Sequence, residues 1–328
     1  MCYNPPYCTR RRQALFRDDF LNRFKGAGGR SNGPKKYPGV PVKKNNAEFL
    51  LNDKNFSLKP SMPSKSFFEK SFNNCLHLLN GVRDKKGAKL PGSGVFDLES
   101  ACFDRRYKTN ALSLLNALKA GEADVRAALA ERFTSSHMLY FLLSSYYKPE
   151  ELLFYDIETK SLAFETSIIT IGLGRYDGQG FAVKQFTVLE DAAEYEILEE
   201  FVKIAAGKRA FVSYNGKSFD VPYTSARLAY YGFTDAPDIE AMPNFDLLHF
   251  CRRAFKSGFT SFSLKDMEGG VLGFEREDDI SGEEVLICYG RYLSTGDPFE
   301  LAPIIHHNRE DIVSLAKLFN RLAETWKE

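Results

Sequence analysis

The chain predicts an α/β fold, a mixed sheet flanked by helices and preceded by a mostly helical or irregular N-terminal region. Three observations carry that reading. Residues 152–157, 168–175 and 181–188 are apolar runs of strand length, and the second and third are joined by the turn Asp177-Gly178-Gln179-Gly180. Helix-like and strand-like periods then alternate from Ala192 to Leu248. Finally, Leu301, Ile305, Ile312, Leu315, Phe319, Leu322 and Trp326 recur at spacings of three, four and seven residues, the buried stripe of an amphipathic helix.

In chain order, residues 1–45 hold eleven Lys or Arg against Asp18 and Asp19, a local charge of +9 in a chain whose formal net charge is +1. Interspersed with Gly26, Gly28, Gly29, Gly33 and Pro34, they read as a disordered basic arm that could attract phosphates without reading sequence. Its glycines do not make a phosphate-cradling loop, because Gly33-Pro34-Lys35-Lys36 stands where Gly-Lys-Ser/Thr would be needed and no strand precedes it. Residues 46–148 read as a separate region with helix-like patterns at 76–79, 111–133 and 137–147, broken by Pro91-Gly92-Ser93-Gly94. A helical cap or lid is the expectation there, and no function is legible. Residues 149–328 read as the third unit: three strands in a meander, a helix over 192–206, a strand over 210–214, a helix over 221–231, a short strand around Phe245, and the C-terminal helix. Asp297-Pro298-Phe299-Glu300 looks like a capping box with Pro in the first helical turn, and Pro303 must then kink that helix or start a second one.

Cys2, Cys8, Cys75, Cys102, Cys251 and Cys288 contain no Cys-x-x-Cys pair or zinc-ribbon spacing, so they read as reduced thiols. No apolar run is long enough to span a bilayer, and the start Met1-Cys2-Tyr3-Asn4-Pro5-Pro6 has no signal-peptide core. A cytoplasmic location with no membrane partner is expected.

The acids carry the chemistry. Asp156 and Glu158 end the apolar run Leu152-Leu153-Phe154-Tyr155, and residues i and i+2 of a strand face the same side. Two carboxylates that close disfavour joint ionisation unless a cation joins them. Asp220 follows the apolar strand Phe211-Val212-Ser213 and an Asn215-Gly216 turn; its ordinary role would be the N-cap of the next helix, with Pro222 in the first turn. His307 and Asp311 are four residues apart and share a face beside the apolar stripe of the last helix. Asp246, at a strand end, reads as a turn residue or as a group supporting the site, and His249 as structural.

Together these residues resemble the DEDD superfamily of metal-dependent 3′-5′ exonucleases, whose catalytic domain has the RNase H-like fold. The match is Asp156-Ile157-Glu158, Asn215-x-x-x-Phe219-Asp220, and His307-x-x-x-Asp311; the middle motif looks like the second exonuclease motif of proofreading polymerases. Ser263-Leu264-Lys265, Leu272-Gly273-Phe274 and His307-Asn308-x-x-Asp311 look closest to the bacterial YprB-type RNase H-like domains. The resemblance covers about residues 150 to 328 and leaves the first half untouched. One departure stands out. The histidine branch of the superfamily places its His five residues before the last Asp and the tyrosine branch its Tyr four before, and this chain has His306 and His307 at the two offsets. At about 100° per residue, His307 lies ~40° around the helix from Asp311 and His306 ~140° away, which favours His307.

The resemblance implies a two-metal-ion phosphodiester hydrolase acting on DNA or RNA. Asp156 would bridge two Mg²⁺ or Mn²⁺ ions, Glu158 and Asp311 would hold the first, Asp220 would help place the second, and His307 would accept a proton from the attacking water. Thr159, Asn215 and Lys217 are candidates for contact with the terminal nucleotide or scissile phosphate, with turn chemistry as the alternative for the last two. A structure-selective endonuclease and a non-catalytic nucleic-acid-binding module are the competing readings; protein partners are not legible.

Overall fold

The computed structural model describes residues 37–327, except Ala88, Glu277 and Asp278. Its centre is a seven-stranded sheet in the order β1-β2-β5-β4-β3-β6-β7. The strands are β1 (Val40–Lys44), β2 (Ala47–Phe56), β3 (Leu152–Thr159), β4 (Ile168–Tyr176), β5 (Phe181–Val188), β6 (Ala210–Ser213) and β7 (Asn244–Asp246). β3, β6 and β7 run parallel, while the other pairings are antiparallel. The sheet is therefore mixed, as expected.

Among the described residues, six α-helices precede β3: α1 (Lys65–Asn73), α2 (Asp84–Gly87), α3 (Leu98–Ala101), α4 (Lys108–Ala120), α5 (Glu122–Ala130) and α6 (Met138–Leu142). Six follow β5: α7 (Glu194–Ala205), α8 (Asp220–Tyr230), α9 (Leu247–Ala254), α10 (Leu264–Met267), α11 (Gly282–Thr295) and α12 (Ala302–Thr325). Pro298–Leu301 is a separate 3₁₀ turn capped by Asp297, so Pro303 lies in the first turn of a second helix, where its missing N–H costs nothing.

Side chains alternate across β3. Leu153, Tyr155 and Ile157 enter one core with Phe201 and Ile197 of α7 and Tyr223 of α8, whereas Leu152 and Phe154 enter the other with Ile312, Leu315 and Phe319 of α12. β4 is buried along nearly its whole length, as a strand covered on both faces must be.

Two expectations are corrected. Residues 40–44, assigned to the disordered arm, form β1, and Ala47–Phe56, assigned to the partly helical region, forms β2, which pairs with β5 over eight residues from Phe49↔Val188 to Phe56↔Phe181. Residues 1–36 of the arm lie outside the described residues. Nor do residues 46–148 keep a core of their own. Phe68, Phe72, Val125, Leu129 and Phe141 belong to the α12 core, and the Phe141 ring centroid lies 5.4 Å from Phe250, 5.0 Å from Phe319 and 5.1 Å from Trp326. The helices stack on the outer side of α9 and α12 because those helices leave large aromatic groups to cover.

Candidate active site

On the face of β3 turned to α12, Leu152 and Phe154 are fully buried and the next two positions are Asp156 and Glu158. A shift in register between Glu158 and Thr159 disturbs the pairing with β4 there, a device common beside functional sites because it re-aims side chains. Opposite Asp156 in the register is Gly172. A Cβ there would overlap the side chain of Asn308, which explains the glycine. Asn308 is fully buried; its Nδ2 donates to Asp156 Oδ2 at 2.8 Å, and its Oδ1 accepts from Gln185 Nε2 at 2.7 Å. Gln185 also donates to the Ile305 carbonyl at 2.8 Å, so Asp156 is held by a satisfied chain of amides reaching to β5.

Asp220 is the first residue of α8, and Phe219 occupies the N-cap position without a side-chain capping bond. The carboxylate reaches across instead: Asp220 Oδ1 accepts the Ile157 N–H at 3.0 Å, which ties it to the middle of the Asp156-Ile157-Glu158 motif. The loop before it turns at Asn215, whose φ of 63° lies in the left-handed region that Asn tolerates. Asp246 caps α9 through the Leu248 N–H at 3.2 Å and accepts the Asn215 and Lys217 N–H groups at 2.8 and 3.3 Å. It therefore ties the turn to the helix, while the side chains of Asn215 and Lys217 are exposed.

Asp311 and His307 project from α12 toward Glu158. His307 Nε2 is 3.7 Å from Glu158 Oε1 and 3.6 Å from Asp311 Oδ2, and donor atoms of these three residues all lie within 4.8 Å of one another. His306 is not in that grouping. Two residues absent from the sequence reading complete the cluster. Arg276, with its side chain 5% exposed, pairs with Asp311 at 2.6 Å, with Asp279 at 3.3 Å and with Glu268. Asp279 Oδ1 lies 2.6 Å from His307 Nδ1. Both lie in the irregular segment after the π-turn Glu268–Leu272, where no periodicity signals a role. Asn308 did have a signal: it falls on the apolar stripe between Ile305 and Ile312, where a polar residue needs a buried partner.

Crowding sets the protonation of these groups. Burial and then the charges of Asp311, Asp220 and Glu158 push Asp156 well above the usual carboxylate range, despite the Asn308 hydrogen bond. Burial raises Glu158 to about 8, with His307 opposing and Asp311 adding to the rise. Asp220 is lifted to about 7 by burial against the restraint of the Ile157 N–H. Burial disfavours the charged form of His307, but Asp311, the Asp279 hydrogen bond and Glu158 outweigh it and raise the group to about 9. The site thus has more negative charge than it can hold ionised without a cation. Its carboxylate oxygens suit a hard divalent ion.

Beside Glu158 and Thr159 opens a cavity of about 390 Å³ lined by Leu162, Phe219, Val285 and Leu286. The Thr159 hydroxyl donates to the Ser161 carbonyl at 2.7 Å at its edge. Elsewhere, Cys75, Cys102 and Cys251 are free thiols, and no helix among the described residues is long and apolar enough to cross a membrane.

A mixed sheet with acids gathered at the end of a central strand defines the class of this site. Residues 153–323 match the family model of the RNase H superfamily, and the chain belongs to that superfamily. It is 27% identical over 194 residues to the uncharacterized protein YprB of Bacillus subtilis (strain 168), an alignment covering 58% of this chain and 46% of that protein. The chain thus spans less than half of that relative's length. The family B DNA polymerase from the hyperthermophilic archaeon Pyrobaculum calidifontis aligns with 54% of this chain and 27% of its own at 16% identity, with a TM-score of 0.39.

Proposed function

We propose that this protein is a metal-dependent nuclease that removes nucleotides from the 3′ end of DNA or RNA by a two-metal-ion mechanism. The observation that supports the reading is the grouping of Glu158, His307 and Asp311 within 4.8 Å at the end of β3, with Asp156 two residues before Glu158 and Asp220 bonded to the Ile157 N–H between them, in the order and spacing of the DEDD pattern. In this reading the four acids would hold two Mg²⁺ or Mn²⁺ ions, which would supply a nucleophilic water at neutral pH and stabilisation of the leaving oxygen.

The remaining work falls to the chain. Asn308 and the Ile157 N–H hold Asp156 and Asp220 in place before any ion arrives. His307 Nε2 faces the gap between Glu158 and Asp311; with the charges of those two acids taken up by a cation, the ring would lose much of what raises it and could accept the proton of the attacking water. Thr159 and the apolar cavity beside it receive the terminal nucleotide, and Asn215 and Lys217, exposed on the opposite loop, meet the phosphate. A cytoplasmic setting suits the free thiols.

The test is incubation of the purified chain with Mg²⁺ or Mn²⁺ and 5′-labelled single- and double-stranded DNA and RNA. A stepwise ladder is expected. A single internal cut would replace this reading with a structure-selective endonuclease, and binding without cleavage would replace it with a non-catalytic module.

A further inference from the structure

We infer that Asp279 is the positioning residue of His307, holding a proton on Nδ1 so that Nε2, once it gives up its own proton, turns its lone pair between Glu158 and Asp311. The inference rests on the nuclease reading for what the lone pair does, but not for the geometry.

The two ring nitrogens have different surroundings. Nδ1 is in a short contact, 2.6 Å from Asp279 Oδ1, whereas Nε2 stands 3.7 and 3.6 Å from the nearest oxygens of Glu158 and Asp311, beyond hydrogen-bond length. An ionised carboxylate only accepts, so a ring nitrogen facing one must carry the proton. Asp279 is held ionised by what surrounds it: Arg276 lies 3.3 Å from the same oxygen, and Arg276 is itself buried among Asp279, Glu268 and Asp311. Burial opposes that ionisation, but His307 and Arg276 overcome it and leave the Asp279 carboxyl below its ordinary range.

The arrangement is also over-determined in direction. His307 is anchored one helical turn from Asp311, and Arg276 bridges Asp311 to Asp279, closing a ring of four side chains: His307, Asp279, Arg276 and Asp311. Glu268, 1% exposed and set in the π-turn, ties Arg276 to the other end. A ring hydrogen-bonded on one nitrogen and open on the other is what a proton acceptor requires, because the wrong tautomer would present N–H to the water instead of a lone pair.

The test joins a spectroscopic and a kinetic measurement on the full chain. With ¹⁵N-labelled histidine there are only five rings to resolve. His307, identified by the signal lost in His307→Ala, should show a proton held on Nδ1, with or without Mg²⁺, and Asp279→Asn should abolish that signal in a protein whose circular dichroism spectrum shows it still folded. In single-turnover cleavage with Mn²⁺, Asp279→Asn should slow hydrolysis by about 10–100-fold, the usual worth of a partner that orients a site residue. Asp279→Glu should restore part of the rate. Added to His307→Ala, the Asp279→Asn change should cost nothing further, since its effect passes through the ring. An Nδ1 proton that survives Asp279→Asn, or rate losses that multiply in the double variant, would overturn the inference. If the wild-type chain cleaves nothing, the nuclease reading fails, and the ¹⁵N spectra still decide whether Asp279 holds the ring.

Discussion

The interface between β3 and α12 has two ends that differ in everything but backbone. At one end Phe154 lies 5.1 Å from Phe181 and 6.0 Å from Phe319, ring centroid to centroid, with Ile312 and Leu315 filling the rest. At the other end, one strand step on, Asp156 and Glu158 meet His307, Asn308 and Asp311. On α12 the change falls between Asp311 and Ile312. The apolar end stabilises by dispersion and burial, whereas the acidic end opposes folding through repulsion and lost hydration. Packing at one end thus holds the other in an arrangement it would not keep alone.

Substitutions at the two ends should separate cleanly. At the acidic end, Asp156→Asn or Asp220→Asn is expected to abolish hydrolysis, while the thermal midpoint measured without metal holds or rises because one repelling carboxylate is gone. A loss of activity that merely follows a collapsed midpoint would break the comparison. The two histidines come next: His307→Ala should lower the single-turnover rate by ~10²–10⁴-fold, the usual worth of a positioned proton acceptor, and His306→Ala by less than tenfold. A larger effect at His306 would move the site to the histidine-branch spacing. At the apolar end, Phe319→Ala should cost about 3–5 kcal/mol in denaturant unfolding, and the protein that remains folded should cleave at nearly the wild-type rate.

The smallest effect is on pH. Glu158 near 8 and Asp220 near 7 keep protons in the folded state that unfolded carboxylates release at about 4. Without metal, stability therefore falls as pH rises from about 4 to about 8. His307, raised to about 9, acts in the same direction: its contribution is complete below about 6.5 and lost as pH passes 9. Saturating Mg²⁺ should flatten this slope by replacing protons with a cation, and denaturant titrations at several pH values with and without Mg²⁺ measure it. A metal-free stability that climbs over this range would show that the acids are not crowded as described.

Much of this was legible in short stretches of chain. The pairing of Asp156 with Glu158 follows from the two-residue strand period, and that of His307 with Asp311 from the helical turn, so the residues that face one another locally could be named without coordinates. The strands β3, β4 and β5 and the last helix, whose apolar patterns are long and regular, were likewise legible. The β1–β2 hairpin was not, because the charges of Lys43 and Lys44 read as part of the basic arm. Yet Lys44 pairs with Glu200 at 2.9 Å and Glu196 at 3.4 Å on α7, and Asn45 and Asn46 turn at φ of 46° and 72°. Two asparagines in a row were a turn signal available to the sequence.

The sequence by itself determined which residue types stand at which strand and helix positions, since those periods depend only on nearest neighbours along the chain. Only the tertiary structure decided that Arg276 and Asp279, from a segment without a repeat, close on His307 and Asp311, and that Asn308 reaches over Gly172 to Asp156. Those contacts depend on how far apart two packed elements settle, and that distance is set by the volume of every side chain between them.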